Sequence, residues 1–256
     1  MGLCDDELDR YARQLILKQV GGQGQRALTS ARLALVGLGG LGCPAALYLA
    51  GAGVGALTLI DDDVVSLSNL PRQILYTAGD VGQPKVEVAA HVLGAHNPHV
   101  RVSAHRQRLG AANFDMLAGH DLILDGSDSF ATRLAVNAAA VRLRIPLVSG
   151  AIGPVDGQFG LFEGHLADAP CYQCLTGAAI DRPGQSCAEQ GVIGPMAGMI
   201  GSLMALEAMR ALIGFGTPAR AALTIFDGLS GQSRRLALPK DPACPICGPK
   251  AAAIQG

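Results

Sequence analysis

Two pairs of cysteines carry the plainest chemistry in this chain: Cys171 with Cys174, and Cys244 with Cys247. Four thiolates in two Cys-x-x-Cys pairs complete the tetrahedral shell of Zn²⁺ and leave no position for a substrate. The expected site is therefore structural, a clamp that pins the C-terminal tail to a loop in the second half of the chain. A redox dithiol would need only one pair and an activated thiolate. Of the remaining cysteines, Cys4 lies near the chain start and Cys43 is expected in the core. Cys187, in a Gly/Ser-rich stretch, is either a candidate nucleophile or an ordinary loop thiol.

A second constellation suits phosphate. Gly37-Leu38-Gly39-Gly40-Leu41-Gly42 follows the apolar run LALVG and precedes a helical pattern. In that setting Gly37 permits the tight turn, Gly39 lets backbone amides approach a phosphate, and Gly42 lets the helix pack close to the strand. Asp61 follows the next apolar run and is placed to accept hydrogen bonds from a ribose. A dinucleotide-binding oxidoreductase would share all of this. The next segment argues against one, because the 23 residues from Asp62 to Pro84 intervene before the next helix. Loops this long inside compact domains are usually functional. This one carries Asn69, Arg72 and Gln73 and leads to Lys85. Two cations beside a nucleotide suit a triphosphate better than a diphosphate bridge. Asp125 and Asp128 close a further strand, where a carboxylate can hold Mg²⁺ or cap the following helix; Asp128 is assigned to magnesium.

The elements that must position these groups are legible as alternating strands and helices. Apolar runs at LALVG, ALTLI (56–60), 100–104, DLILD (121–125) and PLVSG (146–150) read as strands, and 39–52, 85–95 and 130–143 as helices. This alternation implies parallel pairing through right-handed crossovers, a Rossmann-like doubly wound α/β sheet. Strands near 157–162, 223–227 and 234–238 are expected to extend that sheet antiparallel, with a long apolar helix over 194–213. Residues 5–18 read as one amphipathic helix, broken by the GGQG that follows. One domain over 1–256 is expected, its nucleotide-binding half at about 30–150 and its zinc-clamped half at about 151–248.

Composition closes off other classes. The 256 residues carry 20 Lys plus Arg against 21 Asp plus Glu, a net charge of −1, which leaves no extended surface for nucleic acid. Apolar residues make up 49% and charged residues 16%, enough for a large core and a subunit interface. The longest uncharged apolar stretch, 191–206, is shorter than the ~20 residues that span a bilayer and contains Pro195. No membrane segment is expected. With no secretory signal at the N-terminus, the expected location is the cytoplasm.

Taken together, RYARQ (10–14), VGLGGLGC (36–43), SLSNLPRQ (66–73), VGQPKVE (81–87), the DGSD element and the paired cysteines resemble the MoeB/ThiF/HesA adenylyltransferases, relatives of the ubiquitin-activating enzymes. The likeness runs from about residue 5 to 248. It implies an ATP-dependent nucleotidyltransferase that adenylates the C-terminal glycine of a small ubiquitin-like sulfur carrier ending in Gly-Gly. The LVSGA and GVIGP segments incline the likeness toward the molybdopterin-type carrier, with the thiamin-type or a specialised carrier as the alternative. In the family's terms Gly40 and its neighbours cradle phosphate, Asp61 holds the ribose, Arg72 and Lys85 bind the phosphates, and Asp128 positions Mg²⁺. Arg13 resembles the family's arginine that reaches the γ-phosphate from the partner subunit, which implies a homodimer. Some relatives link their carrier covalently through a cysteine at the position of Cys187. A separate protein is expected to donate sulfur. Two other readings, an NAD-dependent oxidoreductase and a non-catalytic carrier-binding scaffold, fit the cations poorly.

Overall fold

The computed structural model describes residues 2–177, 191–217 and 220–249. Four apolar runs and one largely exposed edge segment form parallel strands: β1 (Arg32–Val36), β2 (Ala56–Ile60), the edge strand β3 (Arg101–His105), β4 (Leu122–Asp125) and β5 (Leu147–Ile152). Three antiparallel strands extend the sheet: β6 (Asp156–Phe162), β7 (Ala222–Asp227) and β8 (Gln232–Ala237). The order is β3-β2-β1-β4-β5-β6-β7-β8, so β1 lies between β2 and β4. Chain direction across the sheet reverses at that point, opening a crevice beyond the carboxyl ends of β1 and β4.

Strand alternation divides the core into two layers. Leu33, Leu35, Leu57 and Leu59 face one cluster, while Ala34, Val36, Ile60 and Ile123 face the other. The first layer is covered by α4 (Gly42–Gly51), α5 (Lys85–His96) and α8 (Gly194–Ile213), and the second by α6 (Phe130–Leu143) and the short α7 (Tyr172–Thr176). By length and composition α8 is apolar enough to cross a membrane. Its Met196, Ile200, Met204, Ala205 and Ala208 are instead buried in the first layer, as a core helix requires.

The N-terminal reading needs correction. Residues 5–18 are not one helix but two short ones, α1 (Asp5–Arg10) and α2 (Ala12–Leu15), and the GGQG segment opens a third, α3 (Gly21–Ser30). The glycine that looks like a helix breaker is there for packing. A Cβ at Gly24 would lie 2.7 Å from Ile213 Cγ2, so its absence lets α3 approach α8.

Between α1 and α2, Tyr11 is fully buried. Its hydroxyl accepts a hydrogen bond from Asn97 Nδ2 at 2.9 Å, and the same amide donates to Ala50 O at 2.7 Å, near the end of α4. The ring fits there because Gly53, at φ +82°, has no Cβ to oppose it.

The turn from β1 into α4 is tighter still. Gly37 sits at φ +86°, and a Cβ on Gly42 would collide with Gly37 O. That obstacle is backbone and cannot rotate away. Gly42→Ala is expected to destabilise the fold by about 3 kcal/mol or more, read from urea midpoints without nucleotide. An unchanged midpoint would show that the turn relaxes.

Candidate active site

The site is built from loops at the carboxyl edge of the parallel sheet. The start of α4 has no side-chain cap, Cys43 N already donates to Gly39 O at 3.0 Å, and Pro44 carries no N–H. The donors without a partner among the described residues are the backbone N–H groups of Gly39, Gly40 and Leu41 in the cleft-lining turn ahead of the helix, an arrangement that suits an anion. Gly39 leaves this approach open, since a Cβ there would meet only Gln73 Nε2, at 3.7 Å. Gly37, Gly39, Gly40, Asp61, Arg72, Gln73, Lys85 and Asp128 all line one cleft. Gly42 lies beneath the turn rather than in the lining.

Asp61 ties two loops together. Its Oδ2 accepts from Leu38 N at 2.7 Å and its Oδ1 from Asp63 N at 2.8 Å. Burial pushes its pKa up, while the positive charge of Lys85 and the two amides pull it down. Lys85 opens α5, is 4% exposed, and pairs with Asp63 Oδ2 at 2.9 Å. A buried ammonium needs a partner, and Asp63 supplies the counter-charge.

The long segment after β2 delivers the other groups. A 3₁₀ turn at Leu67–Asn69 is closed by Asn69, whose Oδ1 accepts from Ser66 N at 3.3 Å. The Asn69 carbonyl then accepts from the backbone N–H of both Arg72 and Gln73, each at 3.0 Å. Asn69 is therefore absent from the cleft wall and holds the turn that presents its neighbours. Arg72 Nη1 donates to Ser68 O at 2.9 Å. Gln73 is 4% exposed, and its Oε1 has no hydrogen-bond partner among the described residues. A buried amide oxygen left unpaired on a cleft wall is a vacancy for a ligand donor.

The two DGSD carboxylates separate. Asp125 is fully buried, accepting from Ser127 N at 3.0 Å, Ser127 Oγ at 2.7 Å and Ser149 Oγ at 3.1 Å. It anchors the loop and lies outside the cleft lining. Asp128 stands exposed on the cleft wall. The helix-capping alternative falls to Ser129, whose side chain accepts from Thr132 N at 3.4 Å.

The cleft also holds two arginines that the sequence does not single out, Arg108 and Arg133. Arg108 pairs with Asp62 at 3.1 Å, and Arg133 holds Ser127 O through Nε at 2.9 Å and Nη2 at 2.6 Å. Arg108 follows β3, and the rule that ligands sit beyond strand carboxyl ends was the one available signal for it. Arg13, on α2, is exposed and does not line the cleft of its own chain. Cys187 lies outside the described residues. Cys43 is buried, its thiol donating to Leu38 O at 3.3 Å, and burial pushes its pKa up to about 12. It is a core thiol, as expected.

The paired cysteines converge. Sγ–Sγ distances are 4.0 Å for Cys171–Cys174, 3.6 Å for Cys171–Cys244 and 3.4 Å for Cys174–Cys247, and all four sulfurs lie within 4.8 Å of one another. A regular tetrahedron with Zn–S of about 2.3 Å has edges of about 3.8 Å, which these values bracket. Asn137 Nδ2 and Asp241 N each donate to a cluster sulfur at 3.5 Å. The donor set fits Zn²⁺.

Known proteins match almost the whole length of this chain. The chain is 47% identical over 249 residues to the sulfur carrier protein adenylyltransferase of Thermus thermophilus, covering 95% of this chain and 92% of the relative. It is 44% identical to two Escherichia coli proteins. One is the molybdopterin-synthase adenylyltransferase (96% of this chain, 98% of the relative) and the other the sulfur carrier protein ThiS adenylyltransferase (95% and 96%). Among solved structures, E. coli MccB with ATP superposes with a TM-score of 0.81 at 22% identity, over 94% of this chain and 74% of that one. This likeness concerns the fold. The profile of the ThiF family matches residues 11–246, and with these relatives it shows that the chain belongs to the ThiF family.

Proposed function

We propose that this chain uses ATP to adenylate the C-terminal glycine of a small ubiquitin-like sulfur-carrier protein ending in Gly-Gly, releasing pyrophosphate. The observation that carries this reading is the meeting of the uncapped glycine turn, Asp61, Arg72, Gln73, Lys85 and Asp128 in one cleft. Homologues named as sulfur-carrier adenylyltransferases support it.

The roles follow from charge and position. The backbone amides of Gly39, Gly40 and Leu41 would bind phosphate oxygens, and Asp61 would accept from the ribose hydroxyls. The carrier carboxylate attacks the α-phosphorus; the new C–O–P bond forms as the bond to pyrophosphate breaks. No general base is required, since a terminal carboxylate is already ionised near neutral pH. Arg72 and Lys85 would offset charge that builds on the phosphoryl oxygens and the departing pyrophosphate, so catalysis is positioning and electrostatics. Asp128, an exposed carboxylate relieved of capping duty by Ser129, would hold Mg²⁺, which neutralises phosphate charge when bound. We assign Arg13 to the cleft of the partner subunit in a homodimer, consistent with its exposure away from its own cleft. The four clustered cysteines would hold a structural Zn²⁺. A separate donor would supply sulfur to the acyl-adenylate.

Asp128→Ala is expected to lower exchange by about 10²-fold or more while leaving the unfolding midpoint unchanged. Retained exchange would remove Asp128 from the site. The carrier is assigned to the molybdopterin type on the LVSGA and GVIGP segments, with the thiamin type as the alternative. ATP–pyrophosphate exchange with each purified carrier tests the whole reading. Exchange with the molybdopterin-type carrier alone supports it, exchange with the thiamin-type carrier alone moves the assignment, and exchange with neither carrier overturns it.

A further inference from the structure

A second cluster of metal-ligating side chains lies away from the cleft and the four cysteines. Cys4, Glu7 and His99 bring a thiol, a carboxylate and an imidazole within 4.8 Å of one another. Cys4 precedes α1 and Glu7 lies on its first turn, while His99 comes from the loop between α5 and β3. Nothing in the proposed adenylation reaction uses them. Asp6 adds a fourth group, with its Oδ2 on His99 Nε2. A carboxylate can only accept, so Nε2 carries the proton and the lone pair of the neutral ring is on Nδ1. A carboxylate behind a histidine ring is the usual outer partner of a metal-binding imidazole.

The loop is held ready for this. His99 N donates to Asn97 Oδ1 at 3.2 Å, and Asn97 is itself fixed by its bonds to Tyr11 and Ala50. Arg10 Nη1 donates to His96 O at 3.1 Å, so α1 already lies against this loop. Cys4 is the one exposed free cysteine among the described residues.

We propose that Cys4, Glu7 and His99 form a second metal site, oriented by Asp6, that joins α1 to the loop after α5. One thiolate, one imidazole and one carboxylate select a borderline divalent ion such as Zn²⁺ or Co²⁺ over Mg²⁺ or Ca²⁺. With three protein donors the ion keeps one position for water, unlike the closed four-cysteine cluster. Solvent reaches the site directly, so it exchanges metal faster than the clamp.

The test uses the full chain with its four-cysteine cluster loaded with zinc, titrated with Co²⁺ under reducing conditions. The expected result is one further equivalent of Co²⁺ bound at micromolar concentration, with a near-ultraviolet thiolate-to-cobalt band. Cys4→Ser should abolish the band. His99→Ala should weaken binding at least tenfold, and Asp6→Asn by about 10–100-fold. These side chains are exposed or half-buried, and the variants should keep the parent's unfolding midpoint without Co²⁺. No thiolate band, a band that survives Cys4→Ser, or binding only at millimolar metal would each overturn the proposal.

Discussion

Lys85→Ala is expected to reduce ATP–pyrophosphate exchange by about 10²–10³-fold, the loss seen when one oriented charge-stabilising group is removed from a closed site. The fold should survive, because the partner left behind, Asp63, has a side chain that is 65% exposed and can be hydrated. The residual activity carries a second signature. Lys85 is the largest influence holding the Asp61 pKa down against burial. Deleting it raises that pKa further, so the acid limb of the pH–rate profile should move to higher pH. The sign follows because ionised Asp61 is the form that accepts from the ribose. A variant with full exchange, or an acid limb moved to lower pH, would contradict the assignment.

Removing the metal from the four-cysteine cluster is expected to cost stability rather than chemistry. The cluster joins Cys171 to Cys244, 73 residues apart, and a cross-link closing a loop of that size is worth about 4 kcal/mol in chain entropy. For a chain of this size that is a fall in Tm of about 8–16 °C. Cys244→Ser or strong chelation should produce it, while exchange by the surviving folded fraction in the cold stays near normal. Elemental analysis should find one zinc per chain fewer in Cys244→Ser than in the parent. A metal-free parent with the same Tm would refute the clamp.

The parallel half of the fold was legible because four of its five strands are short apolar runs separated by helical periods, while the edge strand β3 is largely exposed. The cysteine cluster was legible for a different reason. Ligand type and spacing almost determine it, however far apart the pairs lie. The α3 helix was not legible, because Gly24 looks like a breaker until Ile213, nearly two hundred residues later, is seen against it. The same limit hid Arg108, whose ion pair with Asp62 joins two exposed loops and leaves no period in the sequence. The sequence favours Asp128 over Asp125 for magnesium, but what keeps Asp125 out of the cleft shows only in three dimensions, where two serine hydroxyls hold it. Asn69 was read as a binding group because its type suits one. Its side chain was already committed to the turn that sets Arg72 and Gln73.

The seating of Tyr11 against Gly53 and Asn97 has a mechanical consequence. Helix α4 is ten residues long, a rod of about 15 Å. One end begins at the glycine turn that lines the cleft, and the other seats the ring of Tyr11 against Gly53 and, by way of Asn97, ties it to the carbonyl of Ala50. Displacement of the rod along its axis is felt at both ends. The phosphate turn and the segment that carries Arg13 are thus two handles of a single lever.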